Sequence, residues 1–167
     1  MASEVVFDWG AAHPKRVDVM EFSPAGATYA SDIEKGTFTC YEIKSCKEDL
    51  FSGSGLNFFG EHNYIVTTME TWKGLVEDAI KEGVLIQYTI SKYISENFPE
   101  SNTNFGVQVV CPMSRTIESE WEDPTPIPED GNASGWITKT VVKCQGAKRK
   151  RGMSEMLFCM LRAASRA

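Results

Sequence analysis

The chain is 167 residues long, 42% hydrophobic, 11% aromatic and 24% charged, a composition that excludes global disorder and fits one domain over residues 1–167 rather than two. Its net charge of −6 excludes a general polyanion binder of histone type. No apolar run approaches the ~20 residues that span a bilayer, and the start MASEVVFDWG has neither the basic residues nor the apolar stretch of a secretory signal. The five irregularly spaced cysteines hold no C-x-x-C pair. A cytoplasmic protein with free thiols and no membrane partner is expected.

Val5-Val6-Phe7 is a short apolar run, followed by turn signals at Trp9-Gly10 and His13-Pro14. Arg16 to Phe22 alternates as a strand, with Val17, Val19 and Glu21 on one side and Arg16, Asp18, Met20 and Phe22 on the other. Residues 23–36 contain Pro24, Gly26 and Gly36 and read as a long hairpin connection. Thr37 to Lys44 is rich in β-branched and aromatic residues and is the strongest strand signal in the chain. Ser45 with Glu48 three residues on has the pattern of a capping box, so a helix is expected from about Cys46, failing at Ser52-Gly53-Ser54-Gly55.

Asn63 to Thr67 reads as a third strand, and residues 70–82 as a helix with Trp72, Leu75, Val76, Ala79 and Ile80 on its apolar face. Val84 to Phe98 fits a further helix, although its tyrosines, threonine and isoleucines also suit a strand. Phe105 to Cys111 is a strand stopped by Pro112, and an acidic, proline-rich tract follows from Glu118 to Asp130. Trp136 to Cys144 alternates as a partly exposed strand. The end of the chain is an amphipathic helix capped by Ser154, with Met156, Leu157, Met160, Leu161 and Ala164 inward. This order of elements implies an α/β or α+β sheet of five or six strands flanked by helices.

Side chains two apart in a strand share a face, so Glu42 and Lys44 project together, with Ile43 expected to be buried on the other side. If Arg16–Phe22 pairs with this strand as a hairpin, Asp18 reaches the same face. Two carboxylates and the Ile43 carbonyl make a hard oxygen site for Mg²⁺ or Mn²⁺. A lysine beside it can orient an attacking water, and the chemistry implied is phosphodiester hydrolysis. Lys47, Asn57 and the basic run Lys148, Arg149, Lys150 and Arg151 are candidate contacts to nucleic acid. His13 and His62 have no ligand partner at helical spacing and read as surface residues. Phe58 and Phe59 read as core.

The pair RVDVMEF and FTCYEIKSCKEDL resembles the PD-(D/E)XK nuclease superfamily, most of all its small MmcB-like branch of bacterial DNA-repair and phage-encoded proteins. LNFFGEHNYIVTT is similar to the loop and next strand of phage-type members, and the later elements are similar in arrangement. The resemblance implies a restriction-endonuclease-like central mixed sheet with helices packed on both sides. It also implies a Mg²⁺-dependent endonuclease acting on DNA in repair, recombination or phage–host conflict, and an assembly as a homodimer. Carried over residue by residue, Asp18 and Glu42 ligate the metal and Lys44 positions the water. Many superfamily members open with a helix that supplies a further acidic residue; here Glu4 is the only nearby candidate for it, and it falls in a strand. The alternative reading is a nuclease-fold protein without catalysis that serves as a nucleic-acid- or protein-binding module.

Overall fold

The computed structural model describes residues 1–167. Its elements run in the order β1 (Ala2–Phe7), β2 (Lys15–Ser23), α1 (Ser31–Glu34), β3 (Thr37–Ile43), α2 (Lys47–Leu50), β4 (His62–Thr68), α3 (Met69–Lys81), α4 (Ile86–Asn97), β5 (Gly106–Pro112), α5 (Ile117–Glu122), β6 (Trp136–Val142) and α6 (Met153–Ala164). The six strands form one open sheet in sequence order. β1–β2, β2–β3 and β5–β6 pair antiparallel, while β3–β4 and β4–β5 are parallel, so the sheet is mixed and the protein is α/β. The parallel pairs are joined through α2 and through the α3–α4 pair, as parallel connections require.

The two faces of this sheet differ. Glu42 pairs with Ile65 and Ile65 with Val107 across β3, β4 and β5, and all three are buried, together with Phe38, Cys40 and Val109 of the same parity. Met156, Cys159 and Met160 of α6 cover the β1–β3 half of this face. Trp72, Leu75 and Ala79 of α3 with Ile86, Ile90 and Ile94 of α4 cover the β4–β5 half. The expectation of helices on both sides is therefore corrected: all three long helices lie on one face. On the opposite face the Tyr41 and Tyr64 rings stack at 5.8 Å, and Tyr64 lies over Gly106, where an added Cβ would stand 2.4 Å from the ring.

Several finer expectations are also corrected. β2 does not alternate throughout: Val17 and Met20, of opposite parity, both enter the core, and facing Asp18 the β1 residue Glu4 has a positive φ of 52°. That break in the pleat lies next to the candidate site. Ile43 is 54% exposed, whereas Glu42 and Lys44 are the buried pair, because the helices pack on the Glu42 side. Ile80 and Leu161 point to solvent, and Cys159 takes the inward position on α6. Gly152, not Ser154, caps α6, and its cap has no side-chain bond. The acidic tract contains a helix: Thr116 and Ser119 form a reciprocal cap for α5, and the buried Glu120 pairs with Arg115 Nε at 2.8 Å.

The chain ends are fastened to the sheet by arginines. Arg151 makes two 2.9 Å bonds to the Asp8 carboxylate, further bonds to Glu155 and Glu100, and lies over the Phe59 ring at 4.9 Å. Arg162 and Arg166 of α6 and the residues after it both stack on Trp9.

Candidate active site

β3 carries the site because its sequence alternates Phe38, Cys40 and Glu42 onto the buried face, and the chain continues that direction into Lys44. The register Val19–Tyr41, Met20–Cys40 brings Asp18, one residue further, opposite Glu42. Asp18 Oδ2 accepts the Ile43 amide N–H at 2.9 Å, so its carboxylate is tied to the end of β3. Glu42 is fully buried; its Oε1 accepts the Asn57 amide at 3.1 Å and its Oε2 has no hydrogen-bond partner. Burial first, and then the negative charge of Asp18, push the Glu42 carboxyl well above the usual carboxylate range.

Lys44 is 4% exposed. Its ammonium donates to the Ser54 carbonyl at 2.9 Å and pairs with Asp49 Oδ1 at 3.7 Å rather than with Glu42. Asp49 in turn accepts the Ser45 amide at 2.9 Å and its hydroxyl at 3.2 Å, and the amide bond is the main cause holding its carboxyl below the usual range. The expected capping box at Ser45 is thus replaced: Cys46 is the cap residue of α2, and Asp49 reaches back instead. Gly55, with φ 68°, closes the site. A Cβ there would stand 2.8 Å from Lys44 Nζ and 3.7 Å from Glu42 Oε2, so glycine leaves a gap that both of these atoms border.

Above these groups lies a cleft of about 780 Å³ lined by Asp18, Ile43, Lys44, Asp49 and Asn57, with the end of the β1–β2 turn on one rim and Gly53–Gly55 on the other. The Gly53 amide is held by the Tyr93 hydroxyl at 2.7 Å, which anchors the glycine rim to α4. Glu42 does not itself line the cleft, but the two residues after it, Ile43 and Lys44, and its cross-strand neighbour Asp18 do.

Two features fit a hard divalent cation: a buried carboxylate oxygen without a partner, and a space beside it that a Cβ would fill. A cation would also relieve the burial and repulsion that raise the Glu42 carboxyl. No group of three His, Cys, Asp or Glu side chains is arranged to hold a metal, so the side chains that could serve a cation here are the two carboxylates of Asp18 and Glu42. That suits an ion such as Mg²⁺, which keeps several of its waters.

Asp18, Glu42, Ile43 and Lys44 therefore come together, while the candidate nucleic-acid contacts divide. Asn57 lines the cleft, but its side-chain amide donates to the Arg16 carbonyl at 2.7 Å and its main chain binds Glu42, so it braces the site. Lys47 pairs with Asp78 at 2.8 Å and does not line the cleft. Arg149 pairs with Glu61, and Arg151 is the anchor described above; Lys148 and Lys150 are exposed. None of these four lines the cleft. His13, exposed, stands on its rim. Sequence reasoning missed Asp49, Gly55 and Arg16. An aspartate five residues after the lysine and a glycine-rich stretch were visible, but only the folded loop brings them to Lys44.

No helix is long and apolar enough to cross a membrane. Comparison of the chain with protein-family models, with curated proteins and with solved structures finds no match.

Proposed function

We propose that the protein is a metal-dependent deoxyribonuclease of the PD-(D/E)XK type, built on a restriction-endonuclease-like sheet and acting in the cytoplasm. The observation that carries this reading is the fully buried Glu42 carboxylate whose Oε2 is unpartnered beside Lys44 and opposite Asp18. An ordinary salt bridge on a wet strand face would be exposed and self-satisfied; this arrangement is buried and unsatisfied, as expected of a site kept for a ligand.

Asp18, Glu42 and the Ile43 carbonyl would hold Mg²⁺ or Mn²⁺, which supplies charge neutralisation at a phosphoryl oxygen and acidifies water. Lys44 is fixed by the Ser54 carbonyl and Asp49, and its ammonium is free to orient water across the gap at Gly55. Asp49 and Asn57 hold the lysine and the glutamate against the loop, so the site needs little rearrangement to act. In this reading the DNA backbone enters the cleft and its phosphate reaches the floor between Asp18 and Lys44. The resemblance in the first 70 residues supports the same chemistry and a role in repair, recombination or phage–host conflict.

The test is cleavage of single-stranded and duplex DNA with Mg²⁺, with Mn²⁺ and with chelator, using the parent, Glu42→Gln and Lys44→Met. Cleavage that needs the metal and falls at least ~10²-fold in both variants is expected, in line with the loss of one preorganised electrostatic group. Absence of metal-dependent cleavage on every substrate, with DNA binding intact, would replace the enzyme by a binding module of the same architecture.

A further inference from the structure

The cleft contains three cations at different degrees of engagement. Lys44 is buried and held at two points. Lys15 is committed to Glu100 at 2.6 Å. Arg16 is 57% exposed, and its guanidinium has only two loose neighbours, Glu4 at 3.6 Å and Asp18 at 3.8 Å. Neither distance is a hydrogen bond. Its main chain is the reverse: the Arg16 carbonyl accepts the Asn57 side-chain amide at 2.7 Å, from the same residue whose amide N–H binds Glu42.

From this we infer that Arg16 is the residue that seats a substrate phosphate in the cleft. Its backbone is pinned to the loop that holds Glu42, which fixes where the side chain starts; the guanidinium itself is left without a strong partner, two residues before Asp18. A guanidinium presents a planar fork that matches a phosphate's oxygens. An arriving phosphodiester offers it a better partner than the 3.6 Å and 3.8 Å neighbours it has now. With a net charge of −6 the molecule as a whole repels a polyanion, and an exposed guanidinium in the cleft offsets that repulsion locally. Arg16 is thus a substrate-binding residue for the phosphodiester reading above, on which the assignment of its ligand as a nucleic-acid backbone rests.

The experiment is binding of a labelled single-stranded DNA oligonucleotide, followed by fluorescence anisotropy across a salt series with Ca²⁺ present. The variants are Arg16→Ala, Arg16→Lys and, as a charge-matched control, Lys92→Ala, an exposed α4 residue outside the cleft. Arg16→Ala is expected to weaken binding about ten-fold or more and to lower the salt slope by about 0.7, one phosphate contact on a single strand. Arg16→Lys should keep the slope and lose part of the affinity, because charge is retained and the fork is not. Arg16→Ala behaving like Lys92→Ala, or a parent that does not bind DNA, would overturn the assignment. Binding that depends on Arg16 in a protein that does not cleave would sustain it and sink the nuclease reading; cleavage indifferent to Arg16 would do the opposite.

Discussion

In the proposed reading, Glu42 sets stability against function in one side chain. A carboxylate without exposure, with one unpartnered oxygen and an aspartate opposite, is expensive to bury. Its folded-state pKa lies above the ordinary 4.5, so the folded chain binds that proton more tightly than the unfolded chain does. As pH rises from 4.5 through the raised value, the metal-free protein therefore loses stability that a neutral amide would keep. Glu42→Gln is expected to melt higher than the parent at pH 7 without metal, and this gain should vanish below pH 4.5; a variant that melts lower at pH 7 would show that the carboxylate is paid for inside the fold. The glutamate and lysine were legible in the sequence, because a period of two places them together on any strand. Which face was buried was not: Ile43 looks like the inward residue by hydropathy, but helices cover only the Glu42 side.

The 53–55 loop shows what an element contributes that its composition does not announce. In sequence, Ser52-Gly53-Ser54-Gly55 signals flexibility, yet the folded loop is held by Tyr93 at Gly53 and presents the Ser54 carbonyl to Lys44. Its two glycines have different duties. Both have positive φ, so alanine at either costs about 1–2 kcal/mol of strain. Only at Gly55 does the new methyl meet Lys44 Nζ; at Gly53 there is open space. Gly55→Ala is expected to lose cleavage to the level of Lys44→Met, while Gly53→Ala loses similar stability and keeps its activity, as thermal melts and cleavage rates on the two variants would reveal. Equal activity in the two would remove Gly55 from the site. β3, β4 and α3 were legible because each has a continuous periodic signal, whereas α4 stayed open because its tyrosines, threonine and isoleucines also suit a strand. α5 was not legible, since its acidic, proline-rich surroundings mask a helix set by the Thr116–Ser119 cap and the Arg115–Glu120 pair.

At the scale of the whole molecule, distant parts of the chain converge on the site and hold its walls. The β1–β2 turn carries Asp8 and His13, and β2 opens with Lys15 and Arg16; Asp8 is bound by Arg151 just before α6, and Lys15 by Glu100 after α4. Two arginines of the basic run, read from sequence as candidate phosphate contacts, meet acids more than eighty residues away in the chain, Arg151 with Asp8 and Arg149 with Glu61. Long-range pairings of this kind leave no periodic trace, which is why the grouping of Asp18, Glu42 and Lys44 was readable and the contacts that brace it were not.

The measurement that bears most directly on this account is calorimetric titration of Mn²⁺ into the metal-free parent, Asp18→Asn and Glu42→Gln. One ion per chain in the parent, and a loss of binding in both variants while their folds persist by circular dichroism, is the expected result. Binding that survives Glu42→Gln unchanged, or a parent that takes up no ion, would contradict it: the buried carboxylate would then serve something other than a metal.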